Sequence, residues 1–244
     1  MKLKIIKKAR GGRDSSGQIS LRHRGGEHKR FLRLIDDRRK FHDIKAKVLS
    51  IEYDPNRSSR LALISYQNGY KSYILASSNL KVGDTIITST VAPIKDGNRL
   101  PLNKIPVGIP INSLEYQPLS KNQIVKSAGT AAYIQNIEGS MAQVKLPSGE
   151  IRLFPAVSWA TIGQVGNVDH FNIKLKKAGD SRHRGIRPTV RGVAQNPRSH
   201  PHGGGEGRSS IGMDPKTPWG RPAMGKKTRK SNKTSSRLIV SRRH

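Results

Sequence analysis

Arg60-Leu-Ala-Leu-Ile-Ser-Tyr66, Gln67-Asn68-Gly69 and Tyr70-Lys-Ser-Tyr-Ile-Leu75 follow one another without a break. Two apolar runs of strand length flank an Asn-Gly pair. That is the strongest short-range signal for a β-hairpin, because both central residues of a type I′ turn need positive φ. The same pattern continues outward. Upstream, Lys45-Ala-Lys-Val-Leu-Ser-Ile-Glu-Tyr53 alternates and ends at the turn signal Asp54-Pro55-Asn56. Downstream, Val82-Gly83-Asp84 introduces Thr85-Ile-Ile-Thr-Ser-Thr-Val91, and Asp96-Gly97-Asn98 turns again. Short strands with a turn every ten residues or so predict a small barrel.

Pro101, Pro106, Pro110 and Pro118 then fall close together. Proline cannot donate to a sheet ladder, so the stretch reads as a boundary and linker. A second β set follows in Ile124-Val125, Gly129 to Ile134, Met141-Ala-Gln-Val-Lys-Leu146 and Glu150-Ile-Arg-Leu-Phe154, with Pro147-Ser148-Gly149 turning between the last two. Trp159 lies in this region and reads as core. The predicted architecture is two small barrels in series, without internal repeat. The boundaries are a basic extension over 1–41, a barrel over 42–98, a second over 99–178, and a basic Gly/Pro/Arg-rich extension over 179–244.

Of 244 residues, 46 are Lys or Arg and 16 Asp or Glu, a formal net charge of +30. Residues 48–173 hold 11 basic and 8 acidic groups, whereas 1–47 hold 16 and 5, and 174–244 hold 19 and 3. The excess charge therefore sits on the two flanks of a nearly neutral body. Solvated surfaces mix signs, since a single-sign field opposes compaction, and charge of this density points to a polyanion. The absence of cysteine excludes a disulfide framework, a thiolate zinc site and a cysteine nucleophile together. No apolar run approaches the ~18 residues of a spanning helix. Met1 to Arg10 lacks the apolar stretch of a secretory signal and is short for an organellar transit peptide.

From Gly179 to Lys233 no apolar period is sustained; Arg182-His183-Arg184-Gly185, Arg187-Pro188, Arg191-Gly192 and Asn196-Pro197-Arg198 set the tone. A short helix is expected near Leu175–Arg182. Alone in water the rest buries too little apolar surface to offset its ordering entropy, so it is expected to fold against RNA. Gly203-Gly-Gly-Glu-Gly-Arg208 lacks the Lys-Ser/Thr ending of a nucleotide loop and follows no predicted strand. It reads as backbone held close to a polynucleotide. His200 and His202 straddle Pro201 with Glu206 the nearest carboxylate, a poor metal set. Without a partner to complete a mechanism, they read as groups that stack on bases or donate to phosphates. In the amino-terminal flank Arg22-His23-Arg24-Gly25-Gly26-Glu27-His28-Lys29-Arg30 runs on to Arg33, Arg38, Arg39 and Lys40. Interleaved glycine and histidine favour a backbone-hugging strand over a localisation signal. Trp219, in Thr217-Pro218-Trp219-Gly220, is placed to stack or anchor.

These residues carry a resemblance. Arg22-His-Arg-Gly-Gly with His28-Lys-Arg30, Ile51-Glu-Tyr-Asp-Pro-Asn-Arg57, Tyr73-Ile-Leu75, Leu146-Pro-Ser-Gly-Glu150 and Ile162-Gly-Gln-Val-Gly-Asn167 stand in order. Val190-Arg-Gly-Val193, His200-Pro-His-Gly-Gly-Gly-Glu-Gly-Arg208, Thr217-Pro-Trp-Gly220 and Gly225-Lys-Lys-Thr-Arg229 follow. From about Gly12 onward the chain resembles the bacterial-type universal ribosomal protein two family of the large subunit. The resemblance implies a mainly β fold: an oligonucleotide-binding-type barrel, then an SH3-like barrel, flanked by irregular basic extensions embedded in rRNA. It implies a structural constituent of the large ribosomal subunit that supports subunit association, tRNA placement and organisation near the peptidyl-transferase centre, with the chemistry left to RNA. A histidine matching His200 has been proposed to assist peptide-bond formation; here His200 is read as RNA-positioning.

The RNA-binding residues expected are Arg22, His23, Arg24, His28, Lys29, Arg30, Arg33, Arg38 and Arg39 in the first flank. In the second they are Arg182, Arg184, Arg187, Arg191, Asn196, His200, His202, Arg208, Trp219, Arg221, Lys226, Lys227 and Arg229. No catalytic residue, metal ligand or cofactor is expected, Mg2+ bridging to rRNA aside. The expected partners are large-subunit rRNA, neighbouring ribosomal proteins and the small subunit at the interface, with no membrane and no small-molecule substrate. Glu27, His183, Gln195, Arg198-Ser199 and Asn112 depart from the family's usual residues, and the segment before the resemblance is reduced. Together these suggest an organellar ribosome, in the mitochondrial matrix ahead of a plastid or bacterial cytoplasm. Two other functions compete: a catalyst using His200 or His202, and a basic DNA-compaction protein, for which two barrels are more than the task requires.

Overall fold

A computed structural model describes residues 3–120, 123–206, 208–230 and 232–243. Its contacts divide the chain into two units. The first takes Lys29–Lys174 together with the chain's two ends, up to Lys7 and from Arg237 onward; the second takes Lys8–His28 and Leu175–Ser236.

The first unit holds all the described strands. β1 (Lys4–Ile6) and β2 (Phe31–Arg33) pair antiparallel as a two-stranded ribbon. β3 (Ala46–Glu52), β4 (Leu61–Tyr66), β5 (Lys71–Leu75) and β6 (Thr85–Ile86) form an antiparallel sheet in the order β5-β4-β3-β6. Alternation in β3 buries Ala46 and Val48 and exposes Lys47 and Leu49, so one sheet face meets a core that includes Ile64, Ile74 and Ile86.

The predicted hairpin is present, with a different turn. Among residues 67–69 only Gly69 is left-handed (φ +79°), and its N–H donates to the Tyr66 carbonyl at 2.9 Å. Tyr66 also donates to Tyr70, leaving a three-residue loop with glycine in the bulge position rather than a two-residue type I′ turn. The Asn68 side chain accepts the Tyr70 N–H at 3.1 Å, a local bond that a shorter loop would not leave room for. The predicted strand over Thr85–Val91 is cut short at Ile86. Beyond it Ser89 Oγ accepts the Val91 N–H and bends the chain, while Thr88 bridges to Arg99 in parallel sense.

The proline-rich stretch is core, not linker. β7 (Arg99–Pro101), β8 (Pro110–Asn112), β9 (Leu114–Glu115), β10 (Gln123–Ile124), β11 (Ala132–Glu138), β12 (Met141–Lys145), β13 (Ile151–Pro155), β14 (Trp159–Ile162) and β15 (Ile239–Ser241) follow. Seven of them make an antiparallel sheet in the order β15-β13-β12-β11-β8-β14-β7, and β9 pairs with β10. Leu100, Leu102, Ile105, Ile111 and Leu114 are all buried with Ile134, Val144, Phe154 and Ile162. Proline is tolerated because Pro101 ends the edge strand β7 and Pro110 is the first residue of the interior strand β8, the two kinds of position at which a missing N–H costs the ladder least. Trp159, expected in the core, is half-buried, its ring edge-on to His42 at 5.0 Å. The fold is mainly β, combining an oligonucleotide-binding-type module with an SH3-like module.

An ion pair is sealed inside the first unit. The Arg99 guanidinium donates to Glu115 Oε1 at 2.8 Å and to the Ser113 carbonyl at 3.0 Å, with both side chains almost wholly buried. Glu115 Oε2 accepts the Trp159 N–H at 3.3 Å, so β7, β9 and β14 meet at one charge pair. Burial pulls the Arg99 pKa down despite the pull of Glu115 in the other direction.

Candidate nucleic-acid interface

The second unit is built almost without strands. Its residues 8–28 and 175–236 hold 20 basic and 5 acidic groups, a balance of +15 over 83 residues, against 26 and 11 over the remaining 161. The one α-helix among the described residues is α1 (Ala178–His183), close to the expected place; it carries Asp180 in its first turn and Arg182 and His183 in its last. Both placements suit the helix dipole.

The two stretches of this unit are laced through backbone groups. Gly25 donates to the Gly185 carbonyl at 3.0 Å, His28 to His183 at 3.1 Å and Arg187 to His23 at 3.0 Å, and Arg24 and Ile186 form an antiparallel bridge. His23 Nδ1 adds a bond to the Pro188 carbonyl at 3.0 Å. The backbone is consumed in holding the strands together, and Arg22, Arg24, Arg184 and Arg187 remain exposed. Arg182 is half-buried, its guanidinium reaching the Ile186 carbonyl. His28 is exposed, edge-on to the His183 ring.

The glycine-rich loop is organised by histidine. His200 is 7% exposed. Its ring lies so near Gly192 that a Cβ there would come within 2.6 Å of ring atoms, so only glycine admits the contact. His200 Nδ1 accepts the His202 N–H at 3.0 Å, and His202 Nε2 accepts the Lys216 N–H at 2.9 Å. An accepting ring nitrogen is bare, which places one proton on His200 Nε2 and one on His202 Nδ1 and makes both rings neutral. Burial, with His202 and Arg22 nearby, also holds the His200 pKa below its ordinary value. Among the described residues no group of three or more His, Asp or Glu could hold a metal ion.

Arg191, Asn196 and Arg208 are exposed around this loop. The next turn closes through the Thr217 N–H to the Arg221 carbonyl at 2.8 Å, and presents Trp219 71% exposed beside the exposed Arg221. Lys226 pairs with Asp214 at 3.0 Å, Lys227 is exposed, and Arg229 donates to Ser235 and Ser236.

Five of the expected residues lie instead in the first unit. Lys29 and Arg38 are exposed, and the half-buried Arg30 donates to the Pro55 carbonyl at 2.8 Å. Arg33 stands 3.7 Å from Asp54, a fully buried carboxylate that also accepts Arg57 Nε at 2.7 Å and the Asn56 N–H. Arg39 is 4% exposed and donates to the Gly97 carbonyl at 2.5 Å; burial and the neighbouring Arg99 lower its pKa to about 10, still protonated at neutral pH. Its position in a basic run gave no sign of this, since a basic run looks the same whichever member turns inward. The expected set did not include Arg13, Ile19 or Leu21, which line a concave face of the second unit with Arg22, Arg24 and Arg187. The alternation in Gln18-Ile-Ser-Leu21, apolar inside a basic flank, was the available signal.

A mainly β body carrying a strand-poor, glycine-laced unit of excess positive charge defines a nucleic-acid-binding protein. Two family models refine this: residues 2–88 match Ribosomal Proteins L2, RNA binding N-terminal domain, and residues 95–220 match Ribosomal Proteins L2, C-terminal domain. The second match alone spans more than half of the chain, and the chain belongs to the ribosomal protein L2 family, structural RNA-binding proteins of the large ribosomal subunit.

Proposed function

We propose that this chain anchors large-subunit rRNA through its second unit while the β modules hold that unit's ends, and so supports subunit association, tRNA placement and the order of RNA around the peptidyl-transferase centre. The observation that carries the reading is the charge density of the second unit, about twice that of the first, in segments with little apolar surface of their own. The exposed residues Arg22, Arg24, Arg184, Arg187, Arg191, Arg208, Arg221 and Lys227 neutralise phosphates, and Trp219 stacks on a base. The buried His200 shapes the loop, and peptide-bond chemistry belongs to RNA. Mg2+ bridges phosphates where cationic side chains do not reach. Neighbouring ribosomal proteins and the small subunit complete the contacts. The compartment we propose is the mitochondrial matrix, because Glu27, His183 and Arg198-Ser199 depart from the bacterial pattern.

Counterion release dominates such binding, so affinity for large-subunit rRNA is expected to fall roughly 10³–10⁵-fold between 50 and 200 mM salt. Filter binding across that range is the test, and affinity insensitive to salt would refute the reading. Limited proteolysis provides a second arm: residues 179–236, which lie before the segment that joins the sheet as β15, are expected to be cut in the free protein and protected on rRNA.

A further inference from the structure

Within the second unit, the amino-terminal stretch and the segment after α1 enclose a cleft of about 440 Å³. That volume is in the range of pockets that enclose small molecules, roughly 300–1,000 Å³. Its composition is unusual for a surface carrying so much charge. Ile19 and Leu21 are more than half exposed and line it, while Arg22, Arg24 and Arg187 stand around them, all exposed. The one carboxylate of the adjoining turn, Asp14, is occupied by the Ser16 and Gln18 N–H groups and the Ser16 hydroxyl. The lining itself contains no acid.

The cleft is held open by backbone. The Gly12 carbonyl takes both the Ser20 and Leu21 N–H groups at 3.0 Å, and Arg13 bridges to Ile19 across the turn. On the far side the Arg187 N–H is bonded to the His23 carbonyl. His23 is left-handed (φ +57°), a conformation a non-glycine residue adopts only when its surroundings impose it. Its Nδ1 faces the Pro188 carbonyl, which can only accept. Nδ1 therefore carries a proton, and in the neutral ring Nε2 is left as an acceptor.

We propose that this cleft receives one unstacked nucleotide of the large-subunit rRNA. The base lies on Ile19 and Leu21, covered by a guanidinium plane, and the flanking phosphates sit on Arg22, Arg24 and Arg187. An aliphatic floor inside a ring of guanidinium groups suits no duplex, whose bases are stacked away. It suits a splayed base, which offers an apolar face and a charged backbone together. An acidic peptide would use the arginines and leave Ile19 and Leu21 without a partner. The inference deepens the proposed rRNA-anchoring function and rests on it.

The test separates the floor from the rim in the full-length chain. Ile19→Ser with Leu21→Ser removes the apolar floor and leaves every charge. It is expected to weaken binding to large-subunit rRNA about tenfold without altering the slope of log affinity against log salt. Arg22→Ser with Arg24→Ser is expected to lower both affinity and slope, the slope by about 0.7 unit per lost contact with the unstacked strand. Photo-crosslinking to 4-thiouridine-substituted rRNA is expected to join a single nucleotide position to the peptide holding Ile19–Arg24, and the floor variant is expected to lose that crosslink. Unchanged affinity and an unchanged crosslink in the floor variant would overturn the cleft proposal while leaving rRNA binding intact. So would displacement of rRNA by polyglutamate that needs Arg22 and Arg24 and is unchanged in the floor variant, which would assign the cleft to an acidic peptide. Loss of salt dependence in the parent chain itself would instead overturn the wider function. Circular dichroism of each variant, expected to match the parent because both floor residues are exposed, separates binding from folding.

Discussion

Charged residues in this protein divide by what surrounds them, not by their type. Arg99 and Glu115 are held from water by three strands, and removing one partner of such a pair strands the other. Glu115→Gln is therefore expected to cost roughly 3–5 kcal/mol, read as a fall in the urea midpoint of unfolding. Asp54 has the same logic at smaller scale, fixing Arg57 and approaching Arg33 beneath the turn after β3. His200 acts through the opposite state. Its folded pKa lies below its free value of about 6.5, so the neutral ring belongs to the ordered loop. The loop's order is complete above the free pKa and declines as pH falls through it, because the unfolded loop takes up the proton first. Amide-exchange protection at residues 192–204, after correction for the intrinsic slowing of exchange in acid, is expected to fall between pH 7.5 and 5.5. His200→Asn, whose Oδ1 takes the place of Nδ1 and still accepts from His202 without titrating, is expected to weaken that pH dependence.

At the scale of elements, strands with an alternating or continuous apolar run bounded by turn residues were legible: β3, β4, β5, β12 and β13 fall where their apolar patterns put them. The hairpin was legible in its strands and not in its turn, because a glycine after asparagine also fits the left-handed position that closes a three-residue loop, as Gly69 does. The proline stretch misled for a physical reason. Proline forbids a central ladder donor, not a strand end, and strand ends of two or three residues leave no periodicity to read. β14 and β15 were missed outright; β15 is three residues long and takes its structure from β13, through Ile151 opposite Ser241 and the Leu153 N–H on the Leu238 carbonyl. Tertiary pairing of this kind has no local signature. Deleting residues 237–244 uncovers the β13 edge. It is expected to lower stability by about 1–2 kcal/mol and to raise light scattering in the absence of RNA, since an open edge recruits other strands.

For the whole molecule, the charge asymmetry between flanks and middle was legible from counting alone. What counting could not give was which cations turn inward, as Arg39 does, or that the amino-terminal flank and the tail combine into one body. β15 also has a topological consequence. Residues 175–236 leave the β body after Lys174 and return to it at Arg237, so docking of β15 converts a dangling tail into a closed strap. Closing a loop of about sixty residues removes on the order of 4 kcal/mol of chain entropy before any nucleotide is met. A strap buckled at both ends cannot unravel by fraying from a terminus; its release has to begin with the buckle.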